Sequence, residues 1–331
     1  MTSQLLAVDA ADFDPHPLHA TERTWTETNC YVDLWIELLH ALGLDPLAAA
    51  AFTISTDFEG DQWTFFKFPT EDLRALFGLE VAEFNAWRPV IDHAVEQIEL
   101  RRLMIMDADA WFLPDTDGVS YHRAHVKTAL VPNSIDPVRR RLGYFHNAGY
   151  FELGGDDFDG VFRLGSYDDA SVLPPYIETV RLDRMHTDES DLVDRVIALT
   201  SSHLARRPVD DPMIRFKRRL EQDLAWLESQ DTETFHLYAF GTCRQCGSSA
   251  ELAASFADWL HVHDRSTTAS RSGDLQIVAD SFRSVATSAK ALQFSLARAS
   301  RGRKVNLDGL FDDMGQAYRT AMDGLVRRYG S

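Results

Sequence analysis

The sequence predicts an α+β protein in two parts, a mixed domain over residues 1–175 and a helical domain over residues 176–331. Three observations predict it. Apolar residues recur at helical spacing from Tyr31 to Leu42; short apolar or aromatic runs bounded by Pro, Gly, Asn and Asp occupy residues 103–151; helical spacing returns beyond about residue 183. A chain of 331 residues also exceeds what one hydrophobic core usually organises.

Residues 1–24 are polar, with His16 and His19 flanking Pro17, and read as an irregular lead-in. The first helix carries a stripe of Tyr31, Leu34, Leu38 and Leu42, widened by Trp35 and Leu39, with Thr28 or Asn29 as N-cap and Gly43 as its stop. Phe52 to Phe68, broken by FEGDQW, reads as a loop-rich aromatic wall, followed by short helices near 70–77 and 90–100. LMIMDADAWFLP (103–114), HVKTALVP (125–132) and RLGYFHNAGYF (141–151) read as strands of one antiparallel sheet, the last two joined by NSIDPVR. Asp156, Asp157, Asp159, Asp168 and Asp169, among glycines and ahead of Pro174 and Pro175, suggest an exposed loop at a boundary. Further on, Leu220, Leu224 and Leu227 share a face. Val278, Phe282, Val285, Ala289, Leu292 and Leu296 form a long stripe, and Asn306 is placed to cap a helix lined by Leu310, Met314, Ala317, Ala321 and Leu325.

The net charge of -18 opposes binding to nucleic-acid backbones. No run approaches the ~18 apolar residues of a membrane span, and residues 1–30 hold no basic stretch followed by an apolar one, so a cytoplasmic location without membrane contact is expected. Three cysteines in a chain of this length fit a reducing compartment better than a disulfide framework.

Cys30 opens the first helix, where free amides and a partial positive charge favour a thiolate. A lone cysteine on a helix is more often packing, so order along the chain decides. A helix-opening cysteine, then a histidine heading a strand, then an amide or acid on the next strand is the papain-like arrangement. In it the imidazole exchanges protons with the sulfur and the third residue fixes its tautomer. His125 heads HVKTALVP and is the natural base, with His122 as a substrate-facing second choice. Asn147 in FHNAG takes the third role, with His146 behind it. Asp109 either orients His125 or a substrate amine, or caps a strand end. Glu59, Asp61 and Gln62, with Trp63, stand as possible pocket-lining residues on the loop after the helix.

The helix opening TNCYVDLWIELLHALG, the stretch DAWFLP, the element YHRAH and the closing GYFHNAGYF together resemble a bacterial family of papain-like proteins. That family is related to the N-terminal domain of butirosin biosynthesis protein H, an acyltransferase that moves an aminoacyl group from a carrier protein's phosphopantetheine thioester to an amine. The likeness spans about residues 20–155 and extends more weakly into the helical half. It implies a papain-like fold, Cys30 and His125 as catalytic residues, and Asn147 at a position where related sequences often have Asp. It further implies an acidic acyl or aminoacyl carrier protein as partner, bearing the phosphopantetheine, and a small-molecule amine acceptor, with no cofactor intrinsic to the chain. Arg139–Arg141 and the RFKRR run at 215–219 are the expected docks for such a carrier, although a solvated charged face is the plainer reading of each. A hydrolase passing the acyl group to water and a catalytically silent scaffold are the alternatives.

One departure concerns the oxyanion donor. Papain-like hydrolases take it from a glutamine before the cysteine, whereas this chain has TWTET, leaving the Cys30 amide with Asn29, Thr26 or Trp25. In the helical half, Cys243 and Cys246 are spaced as C-x-x-C, with His261 and His263 downstream. Those histidines are two apart rather than three to five and diverge on a helix, so structural cysteines are expected rather than zinc ligands.

Overall fold

A computed structural model describes residues 3–330 except 170, 189, 265–268, 302, 304 and 306. The chain is α+β and divides into two compact units. The first comprises residues 1–20, 29–46 and 70–187; the second takes residues 21–28, 47–69 and 188–331. No single cut along the sequence separates them, because the stretches on either side of the first helix belong to the second unit.

The first unit is built in the order β1 (Ser3–Gln4), α1 (Cys30–Ala41), α2 (Thr70–Phe77), β2 (Glu80–Phe84), α3 (Val90–Glu99), β3 (Arg102–Asp109), β4 (Lys127–Asp136), β5 (Arg141–His146), β6 (Gly149–Gly154), α4 (Asp156–Phe162) and β7 (Ile177–Arg181). Among the described residues, its seven strands form one antiparallel sheet in the order β2-β7-β3-β4-β5-β6, with β1 added alongside part of β4. Asn29 caps α1 by accepting from the amides of Tyr31 (3.2 Å) and Val32 (3.0 Å), and Gly43, at φ 71°, lies just beyond its end. From Tyr31 to Leu39 the helix is buried on every side, so Asp33 and Glu37 are inside along with the expected apolar stripe. Leu34, Trp35 and Leu38 are fully enclosed, each contributing roughly 1.5–3 kcal/mol by burial. His19 from the lead-in segment makes the buried carboxylates tolerable: its Nε2 lies 3.3 Å from Asp33 and its Nδ1 pairs with Glu37.

Several sequence expectations change here. β4 starts at Lys127, leaving His125 in the approach to it, and continues past Pro132 to Asp136. The proline is accommodated because the register with β5 skips Asn133, whose buried amide bonds the Leu6 main chain on both sides (2.8 and 3.0 Å). RLGYFHNAGYF is two strands of a hairpin rather than one. Asn147 and Ala148 form the turn between His146 and Gly149, with Asn147 at φ 45°, a conformation asparagine tolerates. The acidic stretch after Gly154 contains α4, and Ile177–Arg181, past the expected boundary, is a buried strand between β2 and β3.

The second unit consists of α5 (Leu192–Ala205), α6 (Pro212–Leu227), α7 (Thr232–Ala239), α8 (Gln245–His263), α9 (Ala269–Ala299) and α10 (Asp308–Tyr329), with a π-helical link over Phe240–Arg244. The stripe from Val278 to Leu296 lies in its core, as do Met314, Ala321 and Leu325. Asn306, expected to cap α10, lies outside the described residues. Residues 47–69 contribute Phe58 and Trp63, which pack with Phe216 and, through it, Phe311. Trp25 rests on Gly247, where an added Cβ would come within 2.5 Å of the indole, and it donates from Nε1 to the Ala286 carbonyl (3.1 Å). Among the described residues no helix is long and apolar enough to cross a membrane.

Candidate functional site

Cys30 is the first residue of α1 and half-buried, whereas Cys243 and Cys246 are enclosed in the second unit's core. Burial is the largest influence on the Cys30 thiol and, helped by Asp33, pushes its pKa up. Hydrogen bonds toward the sulfur from the Thr128 side chain and the Ala129 main chain, and the charge of Lys127, act the other way. The helix N-terminus therefore does not leave a resting thiolate, as the sequence suggested; a proton acceptor has to remove the proton. Desolvation raises the other two thiols as well, Cys243 to about 12 and Cys246 well above its ordinary value.

The group behind Thr128 is His146. Thr128 Oγ1 lies 2.8 Å from His146 Nε2, and His146 Nδ1 lies 2.5 Å from Asp115 Oδ2. The other oxygen of Asp115 accepts from the Tyr144 hydroxyl at 2.5 Å. Strand geometry brings these residues together. Tyr144 faces Pro132 and His146 faces Leu130 across the β4–β5 ladder, so alternation puts Thr128, Tyr144 and His146 on one face. Asp115 reaches them from the turn Pro114–Thr116, and the His146 side chain is 1% exposed.

His125 is in a different setting. Its side chain is 69% exposed, its Nδ1 meets Asp109 Oδ2 at 2.6 Å, and its ring stacks on Trp111 at 4.5 Å between centroids. Asp109 combines both roles foreseen for it, since its second oxygen caps the turn Ala110–Phe112 by accepting from the Trp111 amide (3.0 Å). In the β3–β4 ladder Asp107 and Asp109 pair with Ala129 and Lys127, while Ala108 pairs with Thr128. The Asp109 carboxylate thus leaves the sheet on the opposite face from Thr128. The polar partner of His125 is Asp109, and Asn147 is a turn residue instead of a member of the next strand. His122, at φ 51°, pairs with Asp157 (3.2 Å) beside Tyr121, which donates to the same carboxylate (2.8 Å).

Of the expected oxyanion donors, the Trp25 indole N–H is committed to Ala286, while the Asn29 side-chain oxygen, an acceptor, caps α1. Glu59, Asp61 and Gln62 belong to the second unit, where Glu59 accepts from Thr64 (2.9 Å) and Asp61 and Gln62 are exposed. The basic clusters are largely neutralised within their own units. Arg139 pairs with Asp136, Arg140 with Asp156 and Asp159, Arg215 with Asp57 and Asp210, Lys217 with Asp308, and Arg219 with Asp223. No group of three or more metal-ligating side chains occurs among the described residues. Thr128 and Asp115 escaped sequence reasoning. Thr128 lies inside the quoted HVKTALVP run and Asp115 directly after DAWFLP, but only strand register shows that they meet His146.

Two family models match the chain, the DUF1839 N-terminal domain over residues 14–182 and the DUF1839 C-terminal domain over residues 189–327. No curated protein matches it.

Proposed function

The chain belongs to the DUF1839 family, and we propose that it is a cysteine-dependent acyltransferase: Cys30 accepts an acyl group from a thioester and passes it to an amine. The observation that carries this reading is the bonded run Thr128, His146, Asp115, with Cys30 placed so that the Thr128 side chain favours its thiolate. Two proton arrangements connect the four groups. In the first, the Cys30 S–H donates to Thr128 Oγ1, the Thr128 O–H to His146 Nε2, and His146 Nδ1–H to Asp115. In the second, the thiol proton has passed to Oγ1 and the hydroxyl proton to Nε2, leaving a thiolate that accepts from Thr128 and an imidazolium held by Asp115. A half-buried thiol with a raised pKa needs such a route, and a threonine hydroxyl supplies it because it donates and accepts at once.

In the reaction the Cys30 thiolate adds to the thioester carbonyl and the donor's C–S bond breaks. The departing thiolate takes a proton from the imidazolium through Thr128. The amine then adds to the acyl-enzyme and gives a proton to His146 by the same route, the Cys30 C–S bond breaks, and the sulfur is reprotonated. The base is His146 in this reading, not His125. The order of a helix-opening cysteine before a strand-borne histidine supports a papain-like relationship. The resemblance to the relatives of butirosin biosynthesis protein H supports an aminoacyl carrier protein as donor. With Arg139, Arg140, Arg215, Lys217 and Arg219 held in internal ion pairs, carrier docking is assigned to neither cluster.

Intact-mass measurement after exposure to glycyl and acetyl thioesters of pantetheine tests the proposal. The expected result is an acyl adduct on the wild type, absent from Cys30→Ala, that yields an amide when an amine is added. No adduct with either donor, or one that persists in Cys30→Ala, overturns it; release as free acid in the presence of amine makes the enzyme a hydrolase.

A further inference from the structure

A cavity of about 330 Å³ in the first unit contains neither Cys30, Thr128 nor His146. Its walls are mainly apolar, formed by Val90, Phe112, Val161, Val172 and Pro175, and Asp109 and His125 stand among its polar lining groups. Its volume falls at the small end of the roughly 300–1,000 Å³ range of ligand sites, and an apolar hollow with a few polar groups is how such sites are usually made. The backbone of α4 comes close there. A Cβ at Gly160 would lie 2.2 Å from the Phe112 ring, so glycine lets helix and ring meet.

His125 in this cavity is arranged for proton exchange or acceptance. With Nδ1–H donating to Asp109, the ring presents Nε2 as an acceptor, and no partner for Nε2 occurs among the described residues. Trp111, stacked on the ring, and the Asp109 carboxylate fix its plane. Ser166 and Tyr167 also line the cavity, but neither is hydrogen-bonded to His125 among the described residues, so the group that meets Nε2 arrives with the ligand. The charges at the cavity set the sign of that ligand. Asp107, Asp109 and Asp169 line it against one Arg163, whose Nη1 is spent on the Leu173 carbonyl; Lys127 offsets Asp107 at 3.0 Å, and Asp169 holds Ser171. Acceptors therefore dominate, and a cation carrying N–H donors meets them better than an anion or a neutral molecule.

We propose that this cavity is a binding site for a small amine with an apolar body, its ammonium group directed to His125 and the carboxylates and its body to the Val90, Phe112 and Val161 wall. The site stands on the other face of β3 and β4 from the Thr128–His146 line and does not depend on the acyl-transfer reading.

Calorimetric titration of the full chain with phenethylamine, phenethyl alcohol and 3-phenylpropionate, probes of one shape and three charges, tests it. Saturable binding of the amine is expected, with the alcohol and the acid at least about tenfold weaker, the difference one charge-assisted hydrogen bond supplies. Asp109→Asn should weaken the amine by a similar factor, and Cys30→Ala should leave it unchanged, so that loss of acylation and loss of amine binding are separable. Gly160→Val, whose side chain must displace the Phe112 ring from the cavity wall, should abolish it in protein that circular dichroism shows to be folded. Absence of saturable amine binding, equal affinity for all three probes, or binding indifferent to both Asp109→Asn and Gly160→Val overturns the proposal.

Discussion

Replacing Thr128 by valine removes one hydroxyl and keeps the shape of the side chain, which isolates the middle of the Cys30–Thr128–His146 line. Two effects follow from the geometry. Thr128 and His146 are both buried, and their 2.8 Å bond is the contact His146 Nε2 makes along the line to Cys30. Leaving a buried ring nitrogen unpaired costs about 1–3 kcal/mol. For a cooperative unit of roughly 150 residues, the size of the first unit, that lowers the melting temperature by roughly 2–4 °C per kcal/mol. The second effect concerns the sulfur. Thr128 is the largest influence that favours the Cys30 thiolate, set against the desolvation that opposes it. A hydrogen bond to a charged group is worth about 1.5–3 kcal/mol, so its loss slows alkylation of Cys30 at neutral pH by about tenfold to a hundredfold and moves the pH profile upward. Iodoacetamide rates at Cys30, read by peptide mass mapping from pH 6 to 10, give the comparison. Thr128→Ser, which keeps the hydroxyl, should stay near the wild type. A Thr128→Val protein that folds and alkylates within twofold of the wild type, or a serine variant as slow as the valine one, would refute the relay.

Two further outcomes concern stability. Desolvation is the largest single influence on His19 and lowers its pKa, but the hydrogen bonds and charge contacts with Asp33 and Glu37 together outweigh it and raise it to about 9. Because the folded-state value lies above the unfolded one of about 6.5, its contribution is fully present below about pH 6.5 and is lost as pH rises through about 9. It amounts to on the order of 3 kcal/mol, and chemical denaturation of wild type and His19→Gln should converge above pH 9 and diverge below pH 7. Gly247→Ala forces a methyl group to within 2.5 Å of the Trp25 indole. The expected loss is about 1–3 kcal/mol together with a changed Trp25 environment, read by fluorescence in a background where the other tryptophans are replaced.

Much of the first unit is legible locally. TNCYVDLWIELLHALG contains its own cap, period and stop, and α1 runs over Cys30–Ala41 as those signals dictate. The helical stripes of the second half are buried as their spacing requires. Less legible were the segments whose state depends on distant partners. Glu80–Phe84 and Ile177–Arg181 each carry two charges in five residues, Glu80 and Glu83 in one and Glu178 and Arg181 in the other, and become strands by pairing with each other across ninety-odd residues of chain. Residues 21–28 and 47–69 belong with the helical unit because Trp25, Phe58 and Trp63 are buried there, a membership that sequence proximity to α1 hides.

The candidate site divides along the same line. The sequence by itself determined that Cys30 opens a helix and that histidines and acids lie on the strands and turns after it, since helix caps and period-two runs are local physics. Only the tertiary structure decided which histidine shares a sheet face and a hydrogen bond with Thr128. A side chain's face follows from strand register, and one residue of register separates Thr128, beside Cys30 and His146, from Lys127, beside Asp109.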